Sequence, residues 1–314
     1  MGNKLKIFSG RSNSDLAKRI AESQGCLLGK ISFNTFSDGE IWVKFNENVR
    51  GHDVFLIQST NSPAENIIEL ALMTDAAIRA SADRVTAVIP YFGYGRQDRK
   101  DQPRVPISSK VMIDIFTAIG ANRIITMDLH STQIQGFTNI PFDHLYSRMV
   151  LLDAIKKQNY NPKKSVVLAP DIGSAAISQA YAKRLGMHFA LIDKRRTAPN
   201  KAEISHLIGQ LEGLDVLIID DMIDTAGTTI NAADAAFAEG ARSVTAVATH
   251  GVLSGQAIQR LKSSKINKII ITDTIALSAE KMLDNMEIVT VADVFGAAIS
   301  RIHKGESVSA LFEF

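Results

Sequence analysis

The chain has 314 residues, of which 46% are hydrophobic and 22% charged, with 35 Lys and Arg against 33 Asp and Glu. This composition is typical of a soluble globular protein of two domains, and its near-neutral charge predicts neither a nucleic-acid nor a membrane partner. Because Cys26 is the one cysteine, no intrachain disulfide can form, and we predict a cytoplasmic protein.

The first half of the sequence predicts short strands that alternate with helices. Apolar runs at residues 5–8, 53–58 and 85–89 are typical of buried strands, and residues 9–25 and 66–82 have helical periodicity. Residues 33–49 alternate polar and apolar side chains around a turn at Asp38-Gly39, which indicates a hairpin.

Two polar stretches follow predicted strands in this half. Residues 91–101 hold a Gly-aromatic turn and then a charged run, a set that can stack on a purine and neutralise a polyphosphate. His130 follows the strand at 124–126, shortly after Asp128, and this place favours a ligand role for the histidine. The alternatives are an ordinary solvated loop and an ordinary core or surface histidine.

Strands in the second half also end in polar loops. After the strand at 166–169, Asp171 begins a small-residue turn that could approach pyrophosphate oxygens or cap the helix at 175–185. Asp171 could also reach magnesium, directly or through water. Lys194 and Arg196 belong to a basic run that could close over a phosphate-rich transition state or lie on the surface.

The sequence VLIIDDMIDTAGTT at residues 216–229 has three parts. Its apolar start predicts a buried strand that ends at Asp220 and Asp221, and a small hydroxyl-rich turn leads into a helical pattern. Ligands of open α/β sheets bind off the carboxyl ends of strands, and a helix N-terminus favours phosphate. The acidic pair could hold a sugar diol or a metal-bound oxygen. The alternative is an ordinary capped strand–turn–helix.

Three segments recur in the same order in both halves of the chain. Residues 85–88 recur unchanged at 244–247, residues 53–57 parallel 215–219, and residues 122–126 parallel 267–271. We therefore predict two duplicated α/β domains, each a mainly parallel sheet flanked by helices.

The domains are expected at residues 1–148 and 149–303, with a tail at 304–314 that packs back on the first domain. Where the second half has Asp220 and Asp221, the first half has Gln58 and Ser59, so one sugar-phosphate site per chain is expected.

Taken together, these stretches resemble the ribose-phosphate pyrophosphokinases, also called phosphoribosyl-diphosphate synthetases, of the phosphate-activated class. The motifs run in the family's order along nearly the whole chain: FSDGE at 36–40, GRQDRKD at 95–101, PISSK at 106–110, TMDLHSTQIQGF at 126–137, PDIGS at 170–174, DKRR at 193–196, DDMIDTAGT at 220–228 and THGVLSG at 249–255. The resemblance implies two type I phosphoribosyltransferase-like domains. It also implies transfer of the diphosphoryl group of ATP to the 1-hydroxyl of ribose 5-phosphate, giving 5-phosphoribosyl 1-diphosphate and AMP for nucleotide biosynthesis.

The resemblance also implies roles for individual residues. Catalytic cations would be Lys194 and Arg196, and Mg²⁺ would lie at His130 and Asp171. Ribose 5-phosphate would be held by Asp220, Asp221, Asp224, Thr225, Ala226, Gly227, Thr228 and Thr229, and pyrophosphate by Asp171, Ile172, Gly173 and Ser174. ATP would be bound by Arg96, Gln97, Asp98 and Asp101, and by Phe36, Asp38, Gly39 and Glu40 of a neighbouring subunit.

The donated loop implies a homo-oligomer, in the family commonly a hexamer. Phosphate and ADP would act as effectors at Asn48, Arg50, Gln135, Asp143, Ser307 and Ser309. Asn48 departs from the family, which usually has Ser there. Ser174 and Ala226 stand where glycine is common, and each would cost about 1–2 kcal/mol if its backbone needed a positive φ.

Two other functions are open at this point. One is a regulatory homologue that binds nucleotides without catalysis, which would tend to lose cations such as Lys194 and Arg196. The other is a base-specific phosphoribosyltransferase, which would need neither the loop at 96–101 nor a duplicated half.

Overall fold

In this computed structural model, the structure describes the backbone of residues 4–198 and 201–312, and the side chains in these ranges except those of residues 194–206. Within that part, no helix has both the length and the apolar character needed to cross a membrane. The chain divides into two compact units. The first comprises the residues up to 147 together with 274–276 and those from 290 on, and the second comprises 148–273 and 277–289.

The first unit is built on a five-stranded parallel sheet. Its elements are β1 (Leu5–Ser9), α1 (Ser14–Ser23), β2 (Ile31–Thr35), β3 (Ile41–Phe45), β4 (Asp53–Ile57), α2 (Glu65–Arg79), β5 (Arg84–Ile89), α3 (Ser108–Ile119), β6 (Arg123–Met127) and β7 (Phe142–Leu145). The sheet order is β1-β4-β5-β6-β7, and β2 and β3 form the predicted antiparallel hairpin.

The interior strand β4, second in the sheet, is buried along its whole length because helices cover both faces of the sheet. Successive side chains of a strand point to opposite faces. Leu56 accordingly packs in one cluster with Leu70 of α2, and Phe55 packs in another with Leu16 of α1. The carboxyl ends of these strands are thus held rigidly by two apolar layers.

The second unit contains a seven-stranded sheet. Its elements are α4 (Arg148–Lys157), β8 (Ser165–Ala169), α5 (Ala175–Leu185), β9 (His188–Ala198), β10 (Lys201–Ile208), β11 (Asp215–Ile223), α6 (Gly227–Ala238), β12 (Ser243–Gly251), α7 (Ala257–Ser263), β13 (Lys268–Thr272) and β14 (Met286–Val289). The order is β10-β9-β8-β11-β12-β13-β14, and all pairs are parallel except β10 with β9.

The predicted duplication is confirmed. Three strands are neighbours in chain order within each sheet: β4, β5 and β6 in the first unit, and β11, β12 and β13 in the second. The aspartates that begin the equivalent strands β4 and β11 each accept two hydrogen bonds from an arginine near the start of the next strand. Arg84 contacts Asp53 in the first unit and Arg242 contacts Asp215 in the second, with Nε–Oδ1 distances of 2.8 Å.

A second contact is also repeated. The side-chain oxygen of Asn122 accepts the backbone N–H of Val85 at 2.7 Å, and that of Asn267 accepts the backbone N–H of Val244 at 2.8 Å. The two units therefore share polar contacts at the amino ends of their strands as well as strand order.

The last helix, α8 (Ala292–Lys304), differs from the expected domain boundary. We predicted that the second domain would run to residue 303, but α8 belongs to the first unit. Its apolar face, with Phe295 and Ile299, packs in the same cluster as Leu16 and Ile20 of α1. The reason is physical: α1 presents an apolar face that the sheet alone does not cover.

Candidate active site

The acidic pair Asp220-Asp221 lies inside a strand and not after its end. We predicted that the strand would stop at residue 219, but β11 pairs with β12 as far as Ile223, opposite Gly251. On its other side, β11 pairs with β8 only as far as Ile218. Beyond that residue β11 has a strand partner on one side, so the two aspartates lie where the sheet opens.

The carboxylates of Asp221 and Asp171 both act on that of Asp220 at this opening. Burial, followed by the charges of Asp221 and Asp171, holds the pKa of Asp220 well above its ordinary value. The backbone N–H of Asp221 donates to Asp220 Oδ1 at 3.0 Å, which partly offsets this shift. Negative charge is therefore concentrated here, and a cation or a hydroxyl donor would relieve it.

Carboxylate oxygens are the ligands that Mg²⁺ prefers, and this ion is commonly held by one or two carboxylates together with waters and substrate phosphates. Among the described residues, no group of three or more His, Cys, Asp or Glu side chains could hold a metal ion by itself. The acidic cluster fits a magnesium ion that arrives with its substrate and does not fit a closed metal cage.

A short loop connects β11 to α6. It comprises Asp224, Thr225 and Ala226, and α6 begins at Gly227, earlier than the pattern around Ile230 suggested. The first N–H groups of a helix have no acceptor within the helix, and the helix dipole favours an anion there. The loop and the first turn, which includes Thr228 and Thr229, thus have the donors that a phosphate group requires.

Ala226 adopts a left-handed conformation, with φ of 61° and ψ of 2°, and is buried. Such a backbone costs a residue with a Cβ about 1–2 kcal/mol relative to glycine. Ser174, the other position at which glycine is common, has φ of −89°. The expected strain is therefore present at Ala226 and absent at Ser174.

The loop between β8 and α5 is closed by Asp171. Its Oδ1 accepts the backbone N–H of Ser174 at 3.0 Å, and its backbone oxygen accepts the Ser174 hydroxyl at 3.1 Å. A Cβ on Gly173 would lie 3.2 Å from Asp171 Oδ1, so this close turn favours glycine there. Ile172 is 64% exposed. Asp171 thus stabilises the turn that precedes α5, whose N-cap residue is Ser174, and the pyrophosphate role stays a prediction.

In the first unit, Gln97 and Asp98 make contacts that orient neighbouring loops. The Gln97 backbone oxygen accepts the Ser109 hydroxyl at 3.0 Å, at the start of α3. Asp98 Oδ2 accepts the Ser131 hydroxyl at 2.7 Å and also contacts Gln133. Arg96 and Asp101, which we also predicted to bind ATP, are exposed. Asp98 therefore supports the loop that carries His130, and this contact was not predicted.

His130 is exposed at the end of a loop that follows β6. The preceding Asp128 has φ of 36°, and its Oδ2 accepts the Ser147 backbone N–H at 3.1 Å and the Ser147 hydroxyl at 2.5 Å. The Leu129 backbone N–H donates to Nε2 of the buried His144 at 2.9 Å. This loop is thus fixed by contacts with β7 and the residues that follow it.

The hairpin tip holds the predicted adenine-binding residues Phe36, Asp38, Gly39 and Glu40, all of them exposed. The Phe36 backbone N–H donates to the Glu40 oxygen at 2.8 Å, and Asp38 Oδ1 accepts the Glu40 N–H at 3.1 Å. Gly39 has φ of 95°, which only glycine adopts easily. The tip is a preformed turn with a half-exposed phenyl ring.

The predicted catalytic cations lie partly outside the described part. Lys194 and Arg196 belong to β9, but their side chains are among those that the structure does not describe.

The predicted effector residues lie in the first unit. Asp143 Oδ2 is 2.5 Å from Arg123 Nη1, and Gln135 contacts Nδ1 of His144 at 3.4 Å. Asn48 Oδ1 accepts the Arg50 backbone N–H at 2.9 Å. The backbone oxygen of Ser307 accepts Arg301 Nη1 at 3.1 Å, and that of Ser309 accepts the backbone N–H of Phe312 at 3.0 Å.

The fold and the site together define an α/β protein with two aspartates near a strand end, beside a loop and helix start whose N–H groups suit an anion. A family profile described as the N-terminal domain of ribose phosphate pyrophosphokinase matches residues 5–120, and one described as the phosphoribosyl synthetase-associated domain matches residues 196–313. Ribose-phosphate pyrophosphokinase of Chlorobaculum tepidum is 50% identical over 100% of this chain and 96% of its own length.

The corresponding enzyme of Fusobacterium nucleatum is 47% identical over 99% of this chain and 98% of its own. The crystal structure of phosphoribosylpyrophosphate synthetase from Mycobacterium smegmatis superposes with a TM-score of 0.91 at 34% identity, covering 96% of this chain and 100% of that one. The chain belongs to the ribose-phosphate pyrophosphokinase family, and both of its units have the type I phosphoribosyltransferase-like fold.

Proposed function

We propose that this chain transfers the diphosphoryl group of ATP to the 1-hydroxyl of ribose 5-phosphate, giving 5-phosphoribosyl 1-diphosphate and AMP for nucleotide biosynthesis. The observation that carries the proposal is the carboxyl end of β11. There the carboxylates of Asp220 and Asp221 lie next to a loop and helix start that are suited to a phosphate. Family membership over the full length of close relatives supplies the reaction.

The acceptor, ribose 5-phosphate, fits the second unit. Its phosphate would accept the N–H groups of the loop and first turn of α6, and its ring hydroxyls would donate to Asp220 and Asp221. A hydroxyl donor suits Asp220 because burial and the neighbouring carboxylates make its own negative charge costly. The 1-hydroxyl would then attack the β-phosphorus of ATP in line, with AMP as the leaving group and no covalent protein intermediate.

The protein's contribution to this reaction is positioning and neutralisation of developing charge. Mg²⁺, as the proposed cofactor, would neutralise polyphosphate oxygens, with His130 and Asp171 as its predicted protein contacts. Lys194 and Arg196 would stabilise the transferring group. Arg96 would bind ATP together with Gln97, Asp98 and Asp101.

The assembly and the effectors are part of the proposal. Phe36 of the hairpin is 50% exposed on a preformed turn, which suits donation of this tip to the adenine of a neighbouring subunit. A homo-oligomer, and specifically a hexamer, would follow from such donation. Phosphate and ADP are the proposed effectors at the residues around Asp143 and Gln135. The cytoplasmic location stays a prediction from the sequence.

The decisive experiment mixes the protein with ATP, ribose 5-phosphate, Mg²⁺ and phosphate and measures AMP and 5-phosphoribosyl 1-diphosphate together. We expect equal amounts of both products. Nucleotide binding without AMP would favour the regulatory homologue. Consumption of added 5-phosphoribosyl 1-diphosphate together with a purine or pyrimidine base, with no AMP from ATP, would favour a base-specific phosphoribosyltransferase.

Lys194→Ala tests the catalytic assignment within the same assay. We expect kcat to fall far more than the KM for ribose 5-phosphate rises, because the cation would act mainly in the transition state. Steady-state kinetics with both substrates varied provides the measurement. An unchanged kcat with a higher KM would reduce Lys194 to a binding residue.

A further inference from the structure

The segment after β12 lies against the loop proposed to hold the 5-phosphate. The backbone N–H of Leu253 donates to the oxygen of Ile223, and that of Ser254 donates to the oxygen of Asp224, both at 3.0 Å. The Ser254 hydroxyl also donates to Asp224 Oδ1. Ser254 therefore contacts both the backbone and the side chain of the first loop residue.

Arg260 of α7 continues this set of contacts. Its Nη1 donates to the backbone oxygen of Thr225 at 2.9 Å. Three successive carbonyl groups, those of residues 223, 224 and 225, are thus all occupied by donors from residues 253–260.

These contacts determine where the loop directs its N–H groups. In a trans peptide, the C=O of one residue and the N–H of the next point in opposite directions. Holding the oxygens of Asp224 and Thr225 toward residues 253–260 therefore turns the N–H groups of Thr225 and Ala226 to the opposite side. Those two donors precede the free N–H groups of the first turn of α6, so they extend its anion-binding set.

The conformation of the loop needs support from outside. Ala226 has φ of 61°, and residues in such conformations persist where their surroundings determine them. The Ala226 backbone oxygen accepts the Ile230 backbone N–H at 2.9 Å, and this bond fixes the end of the loop that joins α6. Ser254 and Arg260 fix the end of the loop that joins β11, through their contacts with Asp224 and Thr225.

Arg260 also brings a positive charge to this point. The side chain is exposed, and a Cβ added at Gly227 would lie 3.9 Å from Arg260 Nη1. The guanidinium is thus next to the first residue of α6. A phosphate at that helix start would be attracted by the charge as well as by the loop donors.

We propose that Ser254 and Arg260 are positioning residues for the 5-phosphate of ribose 5-phosphate, acting through the loop of residues 224–226. This rests on the proposed function. Neither residue belongs to the acceptor motif of residues 220–229, and the THGVLSG sequence that contains Ser254 had no role in that motif. The contacts with Ser254 and Arg260 orient the loop donors before the substrate arrives.

The test compares Arg260→Gln with Lys262→Gln, a matched loss of one exposed cation on the same helix. Binding of ribose 5-phosphate is followed without ATP, as the rise in thermal midpoint with ligand concentration, and KM values are measured separately. For Arg260→Gln we expect the half-effective concentration of ribose 5-phosphate, and its KM, to rise about five- to tenfold, the effect of losing one typical hydrogen bond at an exposed position.

The KM for ATP and the midpoint of the ligand-free protein should stay unchanged, and Lys262→Gln should behave as the wild type. Arg260→Lys, which keeps the charge, should restore part of the affinity. Ser254→Ala should also lower the affinity for ribose 5-phosphate. The variant that combines Ser254→Ala with Arg260→Gln should lose less affinity than the product of the two single fold-losses, since both residues act on one loop.

Equal ribose 5-phosphate affinities in Arg260→Gln and Lys262→Gln would overturn the inference. So would a lower ligand-free midpoint with all KM values raised together, since that pattern marks a general structural role. If the wild type binds ribose 5-phosphate but forms no AMP, the proposed function fails, and the comparison of the two variants still decides the role of Arg260.

Discussion

The carboxyl ends of β4 and β11 are equivalent places in a duplicated fold, and they have opposite character. After β4, Gln58 is fully buried, and its amide oxygen accepts the Ser12 hydroxyl at 2.7 Å while its Nε2 donates to Glu69 Oε1 at 2.9 Å. Glu69, itself buried, accepts the backbone N–H of Arg11 at 2.6 Å. In β11, the corresponding position is Asp220, which lies within the strand and is affected by the charges of Asp221 and Asp171.

The difference shows how one copy of a duplicated fold can keep a ligand site while the other occupies the same place with its own hydrogen-bonded side chains. Both units keep the arginine–aspartate pair and the asparagine contact at the amino ends of their strands, where the contacts serve stability. At the carboxyl ends, the first unit satisfies every named polar group of Gln58 internally. In the second unit, burial and the charges of neighbouring carboxylates raise the pKa of Asp220, and a ligand that brings a cation or a hydrogen-bond donor can relieve this cost.

The largest expected effect comes from Asp220→Asn. We expect kcat/KM for ribose 5-phosphate to fall by about 10²–10³, because an amide cannot accept the sugar hydroxyls as a carboxylate does. The same variant should raise the thermal midpoint at pH 8 by about 2–4 °C, since it removes one of three mutually repelling carboxylates. Activity assays and thermal unfolding of the same preparation measure the two effects.

The stability gain of Asp220→Asn should depend on pH. The pKa of Asp220 is raised in the folded state, so the protonated form is the one that folding favours. The cost of its charge is absent below the ordinary carboxyl pKa and is fully present above the folded pKa. The difference in midpoint between variant and wild type should therefore grow as the pH rises, and a difference that shrinks would contradict this account.

Gln58→Glu is the converse substitution at the equivalent position of the first unit, since it adds a carboxylate where Asp220→Asn removes one. It would place a second carboxylate against Glu69 in a site with no solvent access, and we expect a loss of about 2–4 kcal/mol in unfolding free energy. Urea denaturation measures the loss. Gln102→Glu, at an exposed position, is the control and should have almost no effect. A stable Gln58→Glu protein would mean that the filled site still accepts charge.

The two arginine–aspartate pairs should differ in strength. Arg84→Gln would leave Asp53, which is fully buried, with His303 as its remaining named partner, and we expect a loss of about 2 kcal/mol. Arg242→Gln should cost less, because its partner Asp215 is more exposed. Hydrogen exchange of the β4 and β11 amides reports on each unit separately. Equal losses would show that the pairs are equivalent despite their different burial.

Asp215 also predicts a pH dependence of opposite sign to that of Asp220. Its hydrogen bond with Arg242 lowers the pKa of Asp215, against a smaller opposing effect of burial. The stabilisation is present above the ordinary carboxyl pKa and is lost as the pH falls through the folded value. The cost of Arg242→Gln should therefore disappear in acid.

The smallest effects concern the two positions where glycine is common. Ala226→Gly should stabilise the ligand-free protein by about 1 kcal/mol, because it relieves a positive φ. Ser174→Gly should bring no gain and a loss of up to about 0.5 kcal/mol, since φ there is already favourable and glycine adds unfolded-state entropy. Chemical denaturation of both variants decides this, and a gain at Ser174 would exclude the strain explanation.

Much of this molecule could be predicted from the sequence. The apolar runs and their repetition predicted two parallel sheets, and the Val216–Thr229 stretch predicted a strand, a turn and a helix start. Such predictions succeed because they depend on local periodicity and on residues that are adjacent in the chain.

What could not be predicted depends on contacts between distant residues. The end of β11 is set by its register with β12, so the strand continues through Asp220 and Asp221. The contact of Asp98 with Ser131 and that of Arg260 with Thr225 join residues far apart in sequence. The apolar face of α8 predicted burial, but nothing in its periodicity indicated which unit would bury it.

The position of α8 has a consequence for synthesis of the chain on the ribosome. The first unit buries Phe295, Ile299 and Ile302 next to α1, yet these residues are made only after nearly all of the second unit. During translation, the apolar face of α1 that α8 covers in the folded protein therefore stays exposed while the second unit is synthesised. A chaperone that binds exposed apolar helices would find its substrate in this interval, and a chain truncated at residue 289 would keep that face uncovered.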